Sequence, residues 1–147
     1  VFSQASGADR LNAFAGMFSL HNRLKKVMIL GDVQTEKVLV VEGSSDRKKV
    51  QKILNEEVDI LCTNGTISYQ KMDSFVDELY DKDVYILTDS DESGDKLRKQ
   101  FKREIPNARH LYIDRTYREV AAAPDYHIAA VLLGANFAIH TEYLYKG

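Results

Sequence analysis

Four short apolar runs in this chain are each followed by polar residues able to do chemistry. Glu42-Gly43 follows Val38-Leu39-Val40-Val41, and Asp89-Ser90-Asp91 follows closely on Val84-Tyr85-Ile86-Leu87. Thr63-Asn64-Gly65-Thr66 follows Asp59 to Cys62, and Asp114-Arg115 follows His110 to Ile113. The spacing of Asp89 and Asp91 lets both carboxylates leave an extended segment on the same side. Two carboxylates about 6 Å apart repel by about 3 kcal/mol at an effective dielectric near 20. If Glu42, Asp89 and Asp91 meet, they must hold a proton or bind a cation. Oxygen ligands without accompanying His or Cys favour magnesium, with manganese as the alternative, over zinc. An ion held this way bridges to phosphate oxygens and stabilises charge in phosphodiester chemistry.

Each piece has a plainer structural reading. A lone Glu after a strand caps a helix or sits in solvent, and Asp-x-Asp near Ser and Gly is a common capped turn. Thr-Asn-Gly-Thr is first a turn signal. The combination at several strand exits is what these readings explain least well. Asp89, Asp91, Ser93 and Gly94 also match the opening of a calcium-binding EF-hand loop. The twelfth position is Gln100 instead of the bidentate Glu, and a strand precedes the loop, so that reading fails. A haloacid-dehalogenase-type phosphatase needs a downstream acidic pair and a base after more chain than follows here.

The elements that position these residues alternate. The apolar runs predict strands at Val38–Val41, Asp59–Cys62, Val84–Leu87 and His110–Ile113. Helical spacing lies between them: Val50, Ile53 and Leu54; Met72, Phe75, Val76 and Leu79; Leu97, Phe101 and Ile105, ended by Pro106. A last helix is expected over Asp125 to Leu133, with Pro124 near its first turn. Phe137 to Tyr145 is open between strand and helix. The fold class is α/β, a mostly parallel sheet with helices on both faces, and all strand exits then share one edge, where such folds bind ligands.

At 147 residues the chain suits one principal domain. Residues 1–16, rich in Ala, Ser, Gly and Asn, read as a disordered or appended leader, with a transit peptide the poorer fit. Residues 17–35 are expected to carry a short helix through Leu20, Leu24 and Val27, closed by Gly31. Residues 36–120 hold the strand–helix alternation, and 121–147 a helix and tail packed on the same domain. A net charge of -2 gives no global attraction to nucleic acid, so binding would need a local patch. The single Cys62 forbids an internal disulfide and fits a cytoplasmic location. Apolar runs fall far short of the ~20 residues of a membrane-spanning helix.

Val38-Leu-Val-Val-Glu42-Gly43 with Asp46 behind it, the glycine turn at Gly65, and Thr88-Asp-Ser-Asp-Glu-Ser-Gly94 together resemble the Toprim (topoisomerase–primase) family, a Rossmann-like metal-binding fold. The resemblance covers about residues 36 to 120. The run Asp114-Arg-Thr-Tyr-Arg-Glu-Val-Ala-Ala-Ala-Pro124 is similar to small stand-alone Toprim proteins of Bacillus-type bacteria, whose domain resembles that of the 5S ribosomal RNA maturation nuclease. The resemblance implies Glu42 as general acid/base or metal-associated carboxylate and Asp89 and Asp91 as magnesium ligands. Asp46 matches an acidic position of the nuclease branch or caps the following helix. Gly43, Gly65 and Gly94 are expected at turns of the site. There is no room for a topoisomerase's tyrosine-bearing domain or a primase's zinc module, and no second domain of the maturation nuclease's kind is evident.

Lys96, Arg98, Lys99, Lys102 and Arg103 lie on the helix after Asp91, followed by Arg109, Arg115 and Arg118. Arg115, Arg118 and Lys96 are the candidates for phosphate contact, while Lys102 and Arg103 fit a solvated helix face. Cys62 reads as a buried small apolar residue, the four histidines lack metal-ligand spacing, and nothing identifies an activating partner for Tyr117. Three functions follow. The first is a magnesium-dependent nuclease-like protein acting on RNA or DNA. The second is a non-catalytic nucleic-acid-binding or scaffold module working with a protein partner, and the third a metal-dependent hydrolase of small phosphorylated substrates. No membrane partner is expected, and the apolar tail leaves room for a homo-oligomer.

Overall fold

Val38 to Val41 bury completely, because the strand they form, β1 (Lys37–Val41), runs through the middle of a sheet covered on both faces. The structure, a computed structural model, describes residues 35–145. The expected leader and the helix through Leu20, Leu24 and Val27 lie outside the described residues. The chain continues through α1 (Ser44–Ile53), β2 (Asp59–Cys62), α2 (Tyr69–Leu79), β3 (Asp83–Leu87), α3 (Glu92–Glu104), β4 (Arg109–Leu111) and α4 (Asp125–Gly134). These four strands pair in parallel throughout, in the order β2-β1-β3-β4.

Alternation along β1 and β3 divides the core in two. Leu39, Val41, Tyr85 and Leu87 face α1 and α4, meeting Val50, Ile53, Ile128 and Leu132. Val38, Val40, Val84 and Ile86 face α2 and α3, meeting Met72, Phe75, Leu79, Leu97 and Phe101. Each fully buried aliphatic or aromatic side chain contributes about 1.5–3 kcal/mol. Phe75 and Phe101 stack with centroids 6.4 Å apart, and Tyr85 meets Phe137 edge-on at 4.6 Å. The expected α/β architecture, with helices on both faces of a parallel sheet, is what the chain forms.

Two expectations about elements change. The fourth strand is Arg109–Leu111 instead of His110–Ile113, because β4 pairs only with β3, whose ladder ends at Leu87↔Leu111. Ile113 is nevertheless buried, packed into the core beyond the strand end. The tail is neither strand nor α-helix. Ile139 makes a single antiparallel bridge to Leu54, and Thr141–Leu144 forms a 3-10 turn. No described helix is long and apolar enough to cross a membrane.

Candidate active site

The connection after β1 runs through α1 to β2 on one side, and that after β3 runs through α3 to β4 on the other, so a crevice opens between the ends of β1 and β3, the place where doubly wound sheets bind ligands. Glu42 stands at the first exit and Asp89 at the second. The Asp89 N–H donates to Glu42 Oε1 at 2.9 Å, which fixes one carboxylate against the backbone that carries the next. Continuing the β-register by one residue sets Thr63 and Thr88 beside Glu42, on the α2–α3 side. Both hydroxyls are buried without a hydrogen-bond partner.

Asp91 is the N-cap of α3, its Oδ1 accepting the Gly94 N–H at 2.8 Å. A side chain at Gly94 would start 2.1 Å from the Asp89 carbonyl oxygen and 3.1 Å from Glu42 Oε1. Only glycine lets the first turn of α3 come this close. Gly94 is thus a helix position, and Gly43, with φ of -138°, is the extended N-cap of α1. Of the three glycines expected at turns, Gly65 alone adopts a left-handed φ, +100°, beside Asn64 at +55°. Asp46 is buried in the first turn of α1 and accepts the Gly43 N–H at 3.0 Å, so it does cap that helix.

The segment after β4 closes the arrangement. Asp89 Oδ1 accepts the Val120 N–H at 2.8 Å, and the Ser90 N–H donates to the Arg118 carbonyl at 2.6 Å. Arg118 holds a positive φ of 59° to make that bond, a backbone strain of about 1–3 kcal/mol. The Arg115 and Arg118 side chains are exposed on this segment. Asp114 is engaged with its own turn, through Thr116, and its N–H donates to His127 Nε2 at 3.0 Å. Lys96 pairs with Glu92 across an exposed helical turn, an interaction worth little.

Burial is the first reason that the Glu42, Asp46 and Asp89 carboxyls are all held above the ordinary range. Mutual repulsion adds to it. Asp89, Asp91 and Asp46 act on Glu42, and Asp46, Asp91 and Glu119 act on Asp89. The backbone N–H bonds to Glu42 and Asp89 oppose the rise without cancelling it. Glu119 is the member that sequence reading missed. It lies in an irregular segment with no flanking strand, where nothing distinguishes it from a solvated Glu.

Arg98 corrects another expectation. It does not belong to the exposed basic face, being 4% exposed. Its guanidinium donates to the carbonyls of Leu111 at 2.6 Å and Thr88 at 3.4 Å, meets His110 Nδ1 at 3.2 Å, and lies 4.1 Å from the Tyr112 ring centroid. It ties the end of β4 to the residue just before Asp89. Cys62 is also only half-buried, its thiol directed at the Gly43 carbonyl. A cleft of about 490 Å³ lies elsewhere, between β4 and the end of α4, lined by Tyr85, Arg109 and Asn136 among others.

With this geometry in place, comparison with known proteins is decisive: residues 37–116 match the Toprim domain. The chain belongs to the Toprim family. The small TOPRIM domain protein from Bacillus stearothermophilus is similar at 57% identity with a TM-score of 0.75, over 78% of this chain and 97% of that one. The uncharacterized protein YusF of Bacillus subtilis is 53% identical over 137 residues, 93% of this chain and 94% of its own. Ribonuclease M5 1 of Ligilactobacillus salivarius is 38% identical over 85 residues, 56% of this chain and 44% of that protein. Ribonuclease M5 of Staphylococcus aureus is 35% identical over 78 residues, 52% of this chain and 43% of that protein. The chain thus spans less than half the length of these two ribonuclease relatives.

Proposed function

We propose that this Toprim site processes phosphodiester bonds of nucleic acid with a magnesium ion, in a nuclease-like reaction. The observation that carries the reading is the joining of Glu42 to Asp89 at the crevice between β1 and β3, with both carboxyls pushed above their ordinary range. Similarity to the ribonuclease M5 proteins supports nucleic acid as the substrate.

The residues present suit magnesium. Glu42, Asp89 and Asp91 each commit one oxygen to a backbone N–H, leaving a second oxygen for a cation. Two buried hydroxyls without partners lie alongside. Among the described residues no three acidic, His or Cys side chains form a ready-made cage. Magnesium does not ask for one, since it keeps its waters and takes one or two carboxylates together with substrate phosphate. Asp89 and Asp91 would hold it, with manganese as a substitute. When bound, the ion supplies charge neutralisation at the phosphate oxygens.

Glu42 then moves the proton. Its raised affinity for a proton brings it towards neutral pH, where a general acid/base works best. Burial against Gly94 and the Asp89 N–H fix its orientation. Asp46 holds the turn that follows Glu42, and Arg115 and Arg118 meet the phosphate backbone from the exposed segment.

Magnesium titration by calorimetry, paired with cleavage of mixed RNA and DNA pools, tests the reading. Glu42→Gln with Asp89→Asn should abolish magnesium-dependent cleavage by at least about 100-fold and weaken magnesium binding. Cleavage that survives the double substitution would refute the assignment.

A further inference from the structure

Five large apolar or aromatic side chains stand exposed among the described residues: Tyr69, Tyr80, Tyr112, Leu133 and Tyr145. Tyr80 and Leu133 lie at the C-terminal ends of α2 and α4, on the far edge of the sheet, and Tyr145 ends the described tail. Tyr69 and Tyr112 are different. Both stand at the strand-exit edge that carries the acidic site. Tyr69 opens α2, and Lys71, two residues on, donates from Nζ to the Thr63 carbonyl at 3.0 Å, pinning that first turn beside the exit of β2. Tyr112 immediately follows β4.

The two side chains are 82% and 58% exposed. Tyr112 is braced from behind. The Arg98 guanidinium covers it at 4.1 Å while bonding to the carbonyls of Thr88 and Leu111, so the ring is anchored through Arg98 to the residue before Asp89, with the rest of its surface in solvent. The strand order β2-β1-β3-β4 puts Glu42 and Asp89 on the two inner strands and the tyrosines beyond the two outer ones. At the usual spacing between strands the row is about 14 Å wide. In the order of the strand exits, the two exposed tyrosines therefore flank the acidic crevice, one on each side.

We propose that Tyr69 and Tyr112 are stacking posts for unpaired bases on either side of the processed phosphate, which makes single-stranded nucleic acid the substrate class. The proposal builds on the phosphodiester reading above and adds what that reading leaves open. A base is free to stack on a protein ring only when it is not stacked and paired inside a duplex. A duplex laid across this edge would offer its phosphates and leave both rings idle. Stacking does not distinguish ribose from deoxyribose, so both kinds of strand share this chemistry.

The chain contains no tryptophan, so Tyr69→Trp and Tyr112→Trp each introduce a single fluorescent reporter. In the full chain carrying Glu42→Gln to block cleavage, with magnesium present, four probes are compared: oligoadenylate as RNA, as DNA, as the matching DNA duplex, and as an abasic strand. The unpaired adenylates should quench both reporters, and the duplex and abasic strand should not. Without reporters, Tyr69→Ala and Tyr112→Ala should each weaken single-strand binding by about 5- to 150-fold, with Phe at either position within about twofold of the parent. Because Tyr112→Ala also uncovers Arg98, the Phe variant and the exposed Tyr69 decide the matter if that protein unfolds. Unchanged affinity in the folded Ala variants, or equal quenching by the duplex, overturns the proposal. Magnesium-dependent cleavage of single strands at parental rates by Ala variants made without the Glu42→Gln block would sink the stacking posts and keep the phosphodiester reading. Quenching and Ala losses with no cleavage by the unsubstituted chain would keep the posts and sink that reading.

Discussion

Glu42, Asp46 and Asp89 share a carboxyl held above its ordinary range, and His110 shows the opposite, pushed down to about 4 by burial and by Arg98 and Lys102. The two effects have opposite signs for stability. A carboxyl raised in the folded state gives stability at low pH that is lost as pH climbs through its folded value. A histidine lowered in the folded state costs stability as pH falls from 6.5 towards 4. As pH falls in metal-free buffer the two effects therefore oppose one another. Replacing His110 by Gln removes the histidine's share, so the variant should lose less melting temperature between pH 7 and pH 5 than the parent; an equal loss in the two proteins would contradict the assignment. Glu42, Asp89 and Asp91 were legible in the sequence because a buried apolar quartet shortly precedes each position. Glu119 and Arg98 were not. An exposed Glu in an irregular loop and an Arg amid a basic run look like solvated charges until tertiary contacts bring them in.

At the level of elements, the start of α3 is the most constrained piece of the site. Asp91 caps it, and Gly94 lets its first turn touch the Asp89 carbonyl. Gly94→Ala should lower stability by about 1–3 kcal/mol, measured by urea unfolding, because the obstructing atom is backbone and cannot rotate away. Gly43→Ala is the control. Its extended φ suits alanine and its nearest neighbour is 3.9 Å away, so the change should stay within about 1 kcal/mol. An equal effect of both substitutions would mean that the close approach does not constrain the helix. Strands buried on both faces were readable as apolar runs, and the helices as spaced apolar residues. The tail was not, because Ile139 is held by one bridge to Leu54, a long-range pairing with no local pattern. The shortened β4 was hidden for a related reason, since its length is set by the end of β3.

On the scale of the whole molecule, a chain of net charge -2 has no general attraction for nucleic acid, so binding depends on where its bases stand. Arg115 and Arg118 are exposed on the segment stitched to Asp89 and Ser90. Removing both side chains should reduce the salt dependence of nucleic-acid affinity by about 0.7–0.9 per lost phosphate contact on a log–log plot. An unchanged slope would place the phosphate path elsewhere. The convergence of four strand exits followed from the alternation of elements, whereas the side chains that line the crevice needed the register. The same sheet order also governs how the chain can fold. Val38 pairs with Asp59 on one side and Val84 on the other, and among the described residues no two strands are joined by a hairpin. No ladder can form from neighbouring residues, so every strand contact must wait for a long loop to close, and topology of this kind folds slowly for its size. During synthesis β1, the most apolar strand, emerges before both of its partners, and even once β2 is available it keeps a sticky edge on its other side until β3 arrives.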